Sequence, residues 1–138
     1  MANWAWFTKV HKKIFNLSGG RLGSSMGGQR IVMMNTVGRK TRQIRQVPVA
    51  CYKYKENVTI VASNNGLDKH PVWWLNLQAT PNIKVQLGTQ TIRVRARELE
   101  GDERAEAWQA LIKTNPRQKK YQAGLDNRLL PVVYLEPD

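Results

Sequence analysis

The chemistry this sequence can support rests on a few polar clusters. The densest is Arg39, Lys40, Arg42 and Arg45, in and just after the stretch GRKTRQ at residues 38–43. Backbone N–H groups of a turn, flanked by guanidinium forks, suit a phosphate group. The same residues also suit a solvated hairpin tip. A second cluster, Ser63-Asn64-Asn65-Gly66, closes an apolar run. A hydroxyl and free amides there can hold the polar edge of a ring, or form an ordinary loop. Trp73 and Trp74 are adjacent, so on a helix they point to different sides, one to the core with Leu77 and one over a ligand or partner. Tyr52 and Tyr54 share one strand face and either stack on a ring or pack across strands. The stripe Arg93, Arg95, Arg97 reads as a solvated face.

Other chemistries are excluded. One cysteine and two distant histidines, His11 and His70, cannot build a tetrahedral metal site, so no metal is expected. Neither a GxGxxG nor a P-loop motif is present, and no GxSxG elbow supports a serine nucleophile. The few acids offer no carboxylate pair. An enzyme of this kind would hold a cofactor that brings its own reactivity. With 22 Lys and Arg against 10 Asp and Glu, the net charge of +12 attracts polyanions: nucleic acid, an anionic membrane or a phosphorylated ligand. The lone Cys51 falls in the strand pattern Val47, Val49, Cys51 and reads as a buried thiol. Its isolation suits a reducing cytoplasm. No apolar run reaches the length of a membrane span, and the N-terminus lacks a signal-peptide core.

The elements that must position these groups can be read from periodicity. Residues 3–17 place Trp4, Phe7, His11, Ile14 and Phe15 at helical spacing among lysines, an amphipathic helix. Residues 18–28 (SGGRLGSSMGG) read as a flexible linker, so the chain divides into an arm over 1–28 and a body over 29–138. In the body, strands are expected at 30–36, 44–54, 58–62, 83–87, 92–96 and 130–135, several with apolar/polar alternation. Hairpin turns fall at residues 55–57 and 88–89. Helices are expected at 71–79, after Asp102, and up to about residue 124. The sum is an α+β domain of about six antiparallel strands with short flanking helices, arranged as a barrel or a strongly curled sheet.

The segments TVGRKTRQIRQVPV, VASNNGLDKHPVWWLNLQATPNIKVQLG, VRARELEGDERAEAW and LPVVYLEP resemble the deazaflavin-dependent nitroreductase/quinone reductase family, in order and spacing from about residue 30 to 137. The resemblance implies a split β-barrel like that of FMN-binding oxidoreductases. It implies coenzyme F420 as cofactor, an 8-hydroxy-5-deazaflavin carrying a phosphate and a polyglutamate tail. By that resemblance Arg39, Lys40 and Arg45 bind the phosphate and acidic tail, and Pro48 and Val49 line the ring site. Ala62, Ser63 and Asn64 reach the ring edge, and Val72 and Trp73 complete the pocket. The reaction implied is hydride transfer to a quinone, nitro compound or activated enone, with Tyr121 or solvent donating the proton. Two departures stand out: Asn64 and Asn65 occupy a loop where relatives often carry a Lys, and Gln118 sits three before Tyr121, where a further tyrosine is associated with the substrate side. They leave room for a non-catalytic relative that binds FMN or a lipid. A nucleic-acid-binding barrel is a more distant alternative, and no nucleic-acid partner is expected. The arm gives a means of peripheral attachment to the inner face of the cell membrane for an otherwise cytoplasmic protein.

Overall fold

The computed structural model describes residues 25–26 and 29–138. In chain order these form β1 (Ser25–Met26), β2 (Gln29–Val37), β3 (Ile44–Tyr54), β4 (Asn57–Val61), a 3-10 turn (Asn64–Gly66), α1 (Val72–Ala79), β5 (Asn82–Leu87), β6 (Gln90–Glu98), α2 (Gly101–Thr114), α3 (Arg117–Ala123) and β7 (Val132–Pro137). The amphipathic arm expected at 3–17 lies outside the described residues.

Strand order is β1-β2-β3-β4-β7-β6-β5, and β5 pairs again with β2. β2 through β7 therefore make a closed six-stranded antiparallel barrel. β2 carries both seams: it pairs with β3 from Ile31↔Ala50 to Val37↔Ile44, and with β5 from Val32↔Leu87 to Asn35↔Lys84. Closure leaves no open edge between these strands.

Side chains alternate between two cores, as the period of a strand requires. Val32 and Met34, Cys51, Val58 and Ile60, Ile83 and Val85, Val94, and Val133 with Leu135 fill the barrel. The intervening residues Tyr52, Tyr54, Val61, Val132 and Tyr134 point outward, where Ala107 and Leu111 of α2 cover them. α1 adds Trp74 and Leu77 to the interior cluster. Asp102 and Glu103 open α2 and Lys113 closes it, in keeping with the helix dipole. Arg97 grips Glu103 in a fork (2.8 and 3.3 Å), and Lys55 approaches the same carboxylate at 3.5 Å. These groups are partly exposed, so they set the register of α2 more than its stability. Of the arginine stripe, Arg93 and Arg95 are exposed as expected, and Arg97 is drawn into this network and over the Tyr134 ring.

Several boundaries differ from the sequence reading; β6, for one, runs over Gln90–Glu98 rather than 92–96. The linker expected to run to residue 28 already contains β1, whose Ser25 and Met26 pair with Arg30 and Gln29. This pairing uses the part of β2 that extends beyond its registers with β3 and β5. The last strand begins at Val132 rather than residue 130. The Leu130 backbone is engaged elsewhere, its N–H donating to Gln122 and its carbonyl accepting from Arg104.

Trp74 is 5% exposed inside the barrel cluster. Trp74→Ala is expected to cost about 3–5 kcal/mol, read from urea denaturation. A loss below about 1 kcal/mol would place Trp74 outside the core.

Candidate functional site

The basic turn is a built structure. Gly38 N–H donates to Gln43 O and Arg42 N–H to Gly38 O, both at 2.8 Å, and Arg42 takes a φ of 62°. A Cβ on Gly38 would lie 2.6 Å from Thr41 Oγ1, which explains the glycine. The turn is tied to α1 through Asn76, buried at 3% exposure, whose Oδ1 accepts from the backbone N–H (3.1 Å) and Nη1 (3.3 Å) of Arg39. Arg42 Nη1 reaches Thr80 at 3.4 Å. Arg39 thus anchors the turn through its backbone N–H and one guanidinium nitrogen, and both Arg39 and Lys40 are exposed.

The loop after β4 is equally constrained. Ser63 is right-handed (φ −79°, ψ −29°), while Asn64 and Asn65 are left-handed (φ 49° and 56°) and so is Gly66 (φ 78°). A right-handed residue followed by left-handed ones makes successive N–H groups converge into a concave anion-binding nest. Among the described residues none accepts from the N–H of Ser63, Asn64 or Asn65. Asn64 Nδ2 closes the loop by donating to Lys69 O at 3.0 Å.

A third element is the junction of α2 and α3. Asn115 Nδ2 and Gln118 Nε2 both donate to the Tyr52 hydroxyl, at 3.0 and 3.2 Å. Gln118 is 7% exposed, and its Oε1 has no partner. Gln118 is therefore a buried hydrogen-bonding group attached to the barrel wall.

These three elements surround a cleft of about 1090 Å³. Its floor is β3, through Arg45, Pro48 and Val49; Ser63 and Asn64 form one side, and Val72 and Trp73 at the start of α1 form another. Tyr121 of α3 lines the cleft beside the loop of Ser63 and Asn64. Eight of the residues expected from sequence are thereby brought together. Arg39 and Lys40 stand outside the wall, and Ala62 is fully buried in the barrel core, only its backbone facing the loop. Trp73 and Trp74 divide as expected, one to the cleft and one to the core. Tyr52 reaches the cleft wall, while Tyr54 packs edge-on against Tyr134, ring centroids 5.8 Å apart.

Sequence reading missed Lys69, His70, Asn76, Asn115 and Arg117 in the wall. Their only signal was proximity to the HP-WW segment and to the break at Pro116. Among the described residues the lining holds the cations Arg45, Lys69 and Arg117 and no Asp or Glu. Such a wall attracts anions, with little internal screening by fixed charge. Among the described residues no group of acids, His or Cys could hold a metal ion, and no helix is long and apolar enough to cross a membrane.

The family model for F420H(2)-dependent quinone reductase matches residues 6–137. The chain belongs to this family. Among relatives, an F420H(2)-dependent quinone reductase of Mycobacterium tuberculosis is 27% identical over 130 residues, covering 92% of this chain and 87% of the relative. The solved structure of an F420-H2 dependent reductase (FDR-A) superposes with a TM-score of 0.70 at 36% identity, covering 77% of this chain and 93% of that one. A second solved chain, described as a domain-swapped dimer, gives a TM-score of 0.74 at 32% identity, covering 96% and 98%. Membership makes the protein an oxidoreductase with coenzyme F420 as its cofactor.

The cleft fits that group. Apolar walls at Pro48, Val49, Val72 and Trp73 suit a planar ring, free amides suit its polar edge, and unopposed cations suit a phosphate and acidic tail. Gly66 sets how close the loop comes to Tyr121: a Cβ there would stand 2.8 Å from Tyr121 Cδ1. Gly66→Ala is expected to lose more than about 1 kcal/mol of stability and to weaken deazaflavin binding by moving that ring. Gly88→Ala, with φ 62° but open space around it, should lose stability alone. Calorimetry beside a fluorescence titration separates the two; equal binding losses would sink the assignment of Gly66 to the site.

Proposed function

We propose that this chain carries a hydride from reduced coenzyme F420 to a quinone within the cleft between β3, the Ser63–Asn65 loop and α3. The observation that carries this reading is the lining itself, three cations without a carboxylate beside an apolar slot with free amides at one end. Arg45, Lys69 and Arg117 would hold the phosphate and polyglutamate tail, with Lys40 in reach of its outer part. Arg39 would contribute by fixing the turn on Asn76. Pro48 and Val49 would support one ring face and Trp73 and Val72 would border the slot, excluding water. Ser63 and Asn64 would receive the ring's polar edge, and Ala62 would serve through its backbone, which helps set the course of the loop.

Bound, the reduced deazaflavin supplies two electrons as hydride from the carbon that replaces flavin N5. The chain's contribution is placement: holding the acceptor against the ring in a dry slot is worth several kcal/mol. Tyr121 is the candidate proton donor to the reduced acceptor, since no described residue takes a hydrogen bond from its hydroxyl and the residue lines the cleft. Nitro compounds and activated enones meet the same geometry and are proposed as further acceptors, and FMN as a weaker occupant lacking the tail. The amphipathic pattern of residues 3–17 supports peripheral attachment to an anionic membrane, where lipid quinones partition.

Fluorescence titration with oxidised F420, with FMN in parallel, tests the cofactor, and oxidation of the reduced cofactor by a short-chain naphthoquinone and a nitroaromatic tests the acceptor. Tight F420 binding with quinone turnover is expected; FMN preference would overturn the cofactor assignment. Arg45→Ala should weaken F420 roughly tenfold or more, as loss of a charge-assisted contact does. It should have little effect on a deazaflavin stripped of phosphate and tail. An equal loss for both ligands would remove Arg45 from the tail site. Tyr121→Phe should lower the rate constant for the chemical step while leaving F420 affinity intact.

A further inference from the structure

Arg128 is 8% exposed and comes from the segment between α3 and β7, a part of the sequence with no motif. Its guanidinium reaches back 61 to 66 residues along the chain to the cofactor loop. Nη1 donates to Ala62 O at 2.9 Å, and Nη2 donates to Ser63 O at 2.8 Å and Leu67 O at 2.7 Å. Nη1 also lies 3.1 Å from His70 Nδ1. Three carbonyls of one loop are thus drawn to one buried cation. These carbonyls bracket the stretch whose free amides are those of Ser63, Asn64 and Asn65.

Desolvating a guanidinium is costly unless its donors are satisfied; here both Nη atoms are engaged, while the buried Nε has no partner. No carboxylate pairs with it among the described ion pairs. A peptide whose carbonyl is held on one side presents its N–H on the other, so the clamp sets the direction of the amides. We propose that Arg128 is a positioning residue for the F420 site, holding the Ser63–Leu67 loop from behind so that its free amides face the cleft, with His70 as the acceptor that completes the clamp. This rests on the reading that the ring's polar edge lies on that loop.

The role of His70 gives the clamp a signature. An arginine donates and cannot accept, so His70 must present an unprotonated Nδ1. Burial and the Arg128 charge push the His70 pKa below its usual 6.5, with Glu98 of β6 opposing weakly. Asp68 and Lys69 flank it on its own loop. A lowered pKa means the neutral form is favoured by the folded clamp. The clamp is therefore intact above pH 6.5 and is lost as pH falls below it.

The experiment is F420 titration by fluorescence, with melting temperature measured on the same samples. Wild-type affinity is expected to fall as pH drops from 7.5 to 5.5, by less than tenfold because the His70 pKa lies below 6.5. Arg128→Lys keeps the charge but cannot bridge three carbonyls, and should weaken F420 about tenfold or more at pH 7.5. Arg128→Ala should regain affinity with added guanidinium ion and not with ammonium at equal ionic strength. His70→Gln keeps an acceptor without titration, so its affinity should be the same at both pH values. Wild-type affinity in folded Arg128→Lys, or an unchanged pH dependence in His70→Gln, overturns the proposal. Absence of F420 binding by the wild-type protein would instead overturn the reading of the cleft, and the proposal with it.

Discussion

β2 is hydrogen-bonded along both edges, and this double pairing dictates much of what else the chain can do. A sheet with open edges could shift register at its margins. A sheet closed through Ile31–Ala50 on one side and Val32–Leu87 on the other fixes the facing of every strand at once. Once Val32 and Met34 point inward, Cys51, Ile60, Val85, Val94 and Val133 must do the same to fill the space. Tyr52, Tyr54, Val132 and Tyr134 must then find cover outside, which α2 supplies. Buried side chains fill the interior. The cleft lies outside it, between the helix that covers the outer wall and the one that contributes to the core.

That position explains how a small protein makes a site from three tethers. The basic turn is secured by Asn76, the amide loop by Arg128 and the α2–α3 junction by Tyr52. Each tether joins segments distant in sequence and uses a buried polar group to do so. Polar groups are restricted in where they find partners, unlike aliphatic ones, and so they hold a loop in one arrangement. The outer surfaces of the same loops are left with unsatisfied amides and unpaired cations, the features a charged ring-and-tail ligand needs.

The barrel was legible because alternation over Ile44–Tyr54, Asn82–Leu87 and Gln90–Glu98 carries the strand signal directly, and the hairpin between Leu87 and Gln90 is marked by glycine. Pro71 marked the start of α1, and Pro116 the break between α2 and α3. In the site, the basic turn, Ser63, Asn64 and Trp73 were visible as residue types clustered in sequence or carried by the family wording. Arg128 was not, because a buried arginine within a surface-like stretch has no local pattern; its meaning lies in carbonyls more than sixty residues away. The anchoring contact of Arg39 was hidden for a related reason: a charge in a basic run reads as ligand-facing, while its partner Asn76 sits inside a helix. Ala62 belonged to the right segment, but strand alternation turns its side chain into the core. The short β1 carries too few residues to show any periodicity.

β7 enters between β4 and β6, the two strands that would otherwise stay unpaired along one side. During synthesis it emerges after every other strand. Until then the first half of the chain can form hairpins but not a cylinder, and long-range closures of this kind are slow. Arg128 emerges only just before β7, so the ligand-facing loop gains its support in the same late stage as the barrel gains its last stave. A nascent chain that has not yet released β7 would therefore expose unpaired strand edges at β4 and β6, with the Ser63–Leu67 loop still lacking its Arg128 support.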